Sequence, residues 1–113
     1  MATARFIQNG NSIDYTPGAD VSAGDVIVQG DLVGIAKLDI AAGALGALAV
    51  TGVFDVTKAT GTSTAITAGT RLYWDAADGV AKADDESGAN KYLGKAVAAA
   101  ADADATVRVR LEQ

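Results

Sequence analysis

The sequence predicts an all-β fold, a compact barrel or sandwich within a single domain over residues 1–113. Three observations predict it. Short apolar stretches alternate with period two between glycine turns, and no convincing helix separates them. One stretch is used twice: Val21–Asp39 (VSAGDVIVQGDLVGIAKLD) returns as Ile66–Asp84 (ITAGTRLYWDAADGVAKAD). Finally, Thr106–Glu112 sets Val107, Val109 and Leu111 against Arg108, Arg110 and Glu112, the signature of a strand with one buried face.

The elements follow in order. Arg5–Gln8 and Ile13–Tyr15 flank Asn9-Gly10-Asn11-Ser12. Asn-Gly between apolar stretches is a strong hairpin signal, because a type I′ turn needs positive φ at both central residues. An N-terminal β-hairpin is therefore expected, an arm over residues 1–17 that reaches a neighbour from a body over 18–113. Thr16-Pro17-Gly18 suits a type II turn. The duplicated unit comes next, over 21–39 and 66–84. Without a gap, Ala23, Gly24, Gly34, Ala36, Lys37 and Asp39 meet Ala68, Gly69, Gly79, Ala81, Lys82 and Asp84. Each copy reads as a β-hairpin, and two copies are too few for a solenoid. Leu32–Asp39 reads as a strand with one buried face.

Ile40–Gly46 is a glycine-punctuated connection. Leu48, Val50, Phe54 and Val56 share one parity, giving the longest strand candidate, in which Gly52 marks a bulge or bend. Thr60–Thr64 is a loop. In the second copy Leu72 and Trp74 oppose Tyr73, which places Trp74 in the core and Tyr73 outward. Asp84–Gly88 is a solvated acidic turn. The alanines of Tyr92–Ala101 favour helix, yet Leu93 and Val97 are its only large anchors and Gly94 sits inside, so it reads as strand, followed by a turn at Asp102–Asp104. Gly10, Gly18, Gly24, Gly34, Gly69 and Gly79 are the expected turn glycines.

Composition narrows the function. Half of the residues are hydrophobic (50%), but alanine supplies much of that and aromatics are only 5%. So thin a core is helped by partner subunits. A net charge of -5 opposes non-specific binding to nucleic acid. With no cysteine, disulfides, thiolate metal sites and thiol catalysis are excluded; with no histidine, so is the commonest general base. No apolar run approaches the roughly 18–20 residues of a membrane helix. Met1–Gln8 is too short and polar for a signal peptide, so synthesis in the cytoplasm is expected.

Candidate chemistry is sparse. Gly94-Lys95 invites comparison with a phosphate-binding loop, but Gly88 is one residue too far away and Ala96 replaces the hydroxyl that would hold magnesium. There is no GxGxxG. The carboxylate groups Asp75/Asp78, Asp84/Asp85/Glu86 and Asp102/Asp104 lie in expected turns, where pKa values stay ordinary. None has the spacing of an EF-hand calcium loop. No catalytic, cofactor-binding or metal-binding residue is expected. The candidate interface residues are Phe6, Ile7, Tyr15, Tyr73, Arg108 and Arg110, since aromatics mark interfaces and the two arginines line the outer face of the last strand.

Several segments carry a resemblance: Ile13-Asp14-Tyr15-Thr16-Pro17, Val21–Ala36 with its GDVIVQGDLVGIA, Gly52–Lys58 (GVFDVTK), and Leu93-Gly94-Lys95-Ala96 with Val107–Leu111. Over nearly its whole length the chain resembles small phage and prophage capsid decoration, or cement, proteins, a family often labelled RecA/RadA-like phage-associated recombinases. A recombinase needs a nucleotide loop, a helix-flanked parallel sheet and a DNA-binding surface, none of which this sequence offers. The resemblance implies a non-enzymatic virion protein without cofactor, a homotrimer on the outer capsid surface whose partner is the major capsid protein, with no nucleic-acid or membrane partner. A small carbohydrate- or ligand-binding β module of a virion, using Tyr15, Tyr73, Trp74 and Tyr92, is the other reading.

Overall fold

The structure is a computed structural model that describes residues 3–113; Met1 and Ala2 of the expected arm lie outside the described residues. It is all-β, with strands β1 (Ser12–Tyr15), β2 (Val26–Gln29), β3 (Leu32–Ala36), β4 (Gly46–Ala49), β5 (Thr51–Thr57), β6 (Arg71–Asp75), β7 (Val80–Lys82), β8 (Lys91–Ala96) and β9 (Thr106–Glu112). A 3₁₀ turn over Glu86–Gly88 interrupts them. The strands form two antiparallel sheets, ordered β1-β4-β3-β2 and β5-β9-β8-β6-β7. Lys58 makes an isolated bridge to Ala81, which brings β7 back towards the end of β5 without closing the sheet.

The two sheets are one design used twice. Exchange β1, β2, β3 and β4 for β5, β6, β8 and β9 and the strand orders coincide, with β7 added at the edge. The hydrogen bonds repeat as well. Val21 and Ile40 exchange two bonds of 2.8 Å, as do Ile66 and Ala100. The Gly24 amide donates to the Ala36 carbonyl (2.6 Å), and the Gly69 amide to that of Ala96 (2.7 Å). Ile27 faces Gly34 across its ladder, and Leu72 faces Gly94. The duplication thus reaches well beyond 21–39 and 66–84. It also corrects the ungapped pairing of those stretches: their first halves are equivalent, but the counterpart of β3 is β8, not β7.

Gly34 is accordingly no turn glycine. It sits inside β3, where an added Cβ would lie 2.8 Å from the Leu48 Cβ. At Gly94 the same atom would collide with the Arg110 carbonyl of β9. Both glycines let a neighbouring strand approach. Gly24, Gly69 and Gly79 do lie in turns, at φ of 93°, 88° and 69°, a region that costs glycine little.

Four further expectations are corrected. The N-terminal hairpin does not form: residues 4–9 carry no strand, and β1 pairs with β4 instead, Ile13 opposite Leu48. That pairing gives Ile13 and Tyr15 a core to lie on, alongside Val21, Ala36, Ile40 and Leu48, whereas a free hairpin would have buried neither. Gly10 and Gly18 occupy bends without positive φ, so Pro17-Gly18 is not a type II turn. The long strand expected over Leu48–Val56 is two strands of different sheets that part at Val50, and Gly52 takes φ 120° just after the crossing. The strand expected over Tyr92–Ala101 ends at Ala96, and beyond it only Ala100 bridges.

The main core collects Val56, Ile66, Leu72, Leu93, Val107, Val109 and Leu111 of the second sheet with Val33 and Ile35 of the first. Because Val33 and Ile35 point one way and Ala36 the other, β3 is buried on both faces, not one. Polar ties join the sheets at this seam. The Gln113 side chain accepts from the Val33 amide (2.8 Å) and donates to the Tyr92 and Leu93 carbonyls, and Lys91 pairs with Asp31 at 3.0 Å.

Candidate functional site

The carboxylates do structural work. Asp75 is nearly buried and meets the Lys82 ammonium at 2.7 Å; Asp78 reaches the same ammonium at 2.8 Å. That ammonium, and after it the Asp78 amide, hold the Asp75 carboxyl well below the usual carboxylate range, while Asp75 and then Asp78 raise Lys82. Asp84, Asp102 and Asp104 accept from backbone amides of Glu86, of Thr64 and Ala65, and of Ala101. Among the described residues, no three acidic side chains group as a metal site would require.

The interface candidates divide. Tyr15 lies half-buried on the first sheet's own core. Tyr73 packs edge-on against Tyr92, ring centres 5.8 Å apart, with the Arg71 guanidinium 4.8 Å above the Tyr92 ring. Burial, and after it the hydrogen bond to Glu112, push the Tyr92 hydroxyl up to about 12. Arg108 forms two bonds to Asp55 (3.0 and 3.3 Å) and holds that carboxyl low, and Arg110 pairs with Glu112 at 3.1 Å. These four residues thus have partners within the chain. Phe6 and Ile7 do not share that fate: they are 79% and 71% exposed.

Sequence reasoning missed two further exposed apolar residues. Leu38 and Leu45 are 77% and 71% exposed. They flank a groove of about 460 Å³ lined also by Ile40, Ala44, Ala47 and Ser12, the residue from which the N-terminal segment departs. The second repeat places exposed Ala98 at the position equivalent to Leu38. The scaffold therefore does not need a leucine there. Its signal was present in the sequence, since the apolar parity of Leu32, Gly34 and Ala36 runs on to Leu38 beyond the strand's end.

A duplicated β scaffold with its acids tied into turns and two exposed leucines beside a groove has the character of a structural binding protein. The sequence matches the phage cement protein family over residues 7–111. The chain belongs to that family, a structural one, which gives it a capsid-associated role in a phage. No curated protein and no solved structure matches it.

Proposed function

We infer that this protein acts without catalysis, binds the outer face of an assembled phage capsid as a homotrimer, and stiffens the shell through several weak contacts made together. The observation that carries this reading is the pair of exposed leucines, Leu38 and Leu45, that line one groove, with Phe6 and Ile7 exposed on the N-terminal segment. Exposed apolar residues gathered beside a concave surface mark interaction sites, whereas scattered ones do not. The partner is the major capsid protein, and the N-terminal segment 3–11 is the element that reaches it. On this reading the chain is one β domain made in the host bacterial cytoplasm, and its second sheet is a barrel left open.

Cryo-EM of the parent particle with and without the protein tests the reading. Density over the outer shell at the three-fold positions, and loss of particle stability without it, are expected. Light scattering should return three times the 11.3 kDa chain mass; a strict monomer at high concentration overturns the trimer. A ligand-binding module is the second reading. It rests on Trp74, which shares a groove of about 300 Å³ with Asp25 and Asp55. Selective glycan binding that disappears in Trp74→Ala would favour it over the capsid role.

A further inference from the structure

Lys58 is the one buried lysine among the described residues, 4% exposed. Its Nζ has no carboxylate partner. It lies instead among five neutral oxygens: the carbonyls of Ala59 (2.8 Å), Ala101 (3.0 Å), Asp104 (3.1 Å) and Asp102 (3.4 Å), and the Thr64 hydroxyl (3.4 Å). An ammonium group has three protons, so five acceptors exceed what hydrogen bonding asks for. The arrangement is that of a coordination shell, in which protein oxygens replace the water around a cation, as rings of backbone carbonyls do in ion-selective pores.

We propose that these five oxygens form a binding site for a desolvated monovalent cation, whose resident occupant is the chain's own tethered ammonium, and which accepts free ammonium or potassium once Lys58 is replaced. The donor set excludes the common divalent ions. Magnesium and calcium usually take carboxylates among their oxygen ligands. Here every donor is neutral. The Asp102 and Asp104 carboxylates turn away to the amides of Thr64, Ala65 and Ala101. A groove of about 270 Å³, lined by Lys58, Ser63, Thr64 and Ala65, leads to the site and gives a free ion a path.

The first repeat shows that the site is an addition to the scaffold. There the position equivalent to Lys58 is buried Pro17, whose carbonyl simply accepts from the Gly43 amide at 2.9 Å. The second repeat has a longer connection, over 59–65, and gathers its carbonyls around a charge.

Thermal unfolding of Lys58→Met in chlorides of choline, sodium, potassium and ammonium, at one ionic strength, tests the proposal. The variant should melt below the wild type in choline chloride. It should regain several degrees in potassium or ammonium chloride, saturating with concentration as a bound ligand requires, while the wild type melts alike in all four. Equal melting of the variant in every salt overturns the site. If Lys58→Met does not fold in choline chloride, its refolding yield in ammonium chloride is read instead, and failure to recover there also overturns it. On the wild type, brief acetic anhydride treatment followed by mass spectrometry should modify exposed Lys37 and Lys95 and leave Lys58 untouched; modification of Lys58 at their rate contradicts a coordinated ammonium.

Discussion

The first sheet and the second share a strand order and a hydrogen-bond pattern, yet they are packed differently. Around Leu48 the first has a small core completed by half-buried Ile13, Tyr15 and Ile27. Around Leu72, Val107 and Val109 the second has a broad one, which also takes in Val33 and Ile35 from its neighbour. The first joins β2 to β3 through the short turn at Gly30-Asp31; the second fills the same place with β7, a 3₁₀ turn and the Asp75–Lys82–Asp78 ion cluster. What the sheets share builds the scaffold. Where they differ lie the exposed leucines and the N-terminal segment on the first, and the buried ammonium on the second.

The largest effect expected from breaking this comparison is in the cores. Leu72→Ala should cost about 3–4 kcal/mol in urea unfolding, and its counterpart Ile27→Ala about 1–2 kcal/mol, since Leu72 is fully buried and Ile27 is not. Equal losses would mean that the two cores are energetically alike. The paired glycines come next. Gly94→Ala should cost about 3 kcal/mol, because its methyl meets a backbone carbonyl that cannot move without β9. Gly34→Ala should cost less, about 2 kcal/mol, because its methyl meets the Cβ of fully buried Leu48 at 2.8 Å and not a backbone carbonyl.

A smaller contrast appears in acid. The folded pKa of Asp75 lies below its unfolded value of about 3.9. The stability it contributes is therefore present above that value and is lost as pH falls through it towards the folded pKa. Midpoints measured from pH 5 to 2 should drop less steeply in Asp75→Asn than in the wild type. An unchanged slope would remove the ion cluster from the account.

The smallest effect on stability belongs to the leucines. Leu38→Asp with Leu45→Asp should leave unfolding within about 0.5 kcal/mol of wild type yet abolish co-sedimentation with capsids. Ala98→Asp, at the equivalent place in the second repeat, should leave both unchanged. Loss of capsid binding in Ala98→Asp would show that the adhesive end is not confined to the first repeat.

The all-β class was legible because period two and glycine spacing are local properties, as Val107, Val109 and Leu111 show. The repeat was legible only where it is contiguous. Its second half was misread because Gly79, Ala81 and Lys82 imitate Gly34, Ala36 and Lys37 by identity, while the true counterparts sit beyond the β7 excursion. A ladder partner is a long-range choice, and sequence identity over so few small residues does not reveal it. The same limit explains the N-terminal hairpin, where a good turn signal at Asn9-Gly10 lost to a distant strand with a core behind it. Lys58 left a fainter trace. It follows Phe54 and Val56 on the buried parity of β5, a place where a lysine needs a reason.

The Gly30-Asp31 turn has a practical consequence. The second repeat already carries residues 76–90 between the strands that this turn joins in the first, and its sheet remains intact. The duplication is thus a natural insertion experiment with a favourable result. A foreign peptide spliced between Gly30 and Asp31 would occupy a position where this architecture tolerates extra chain. It would project from the hairpin of edge strand β2 and its neighbour β3, away from the leucine groove, which makes that turn the natural place to load cargo for display.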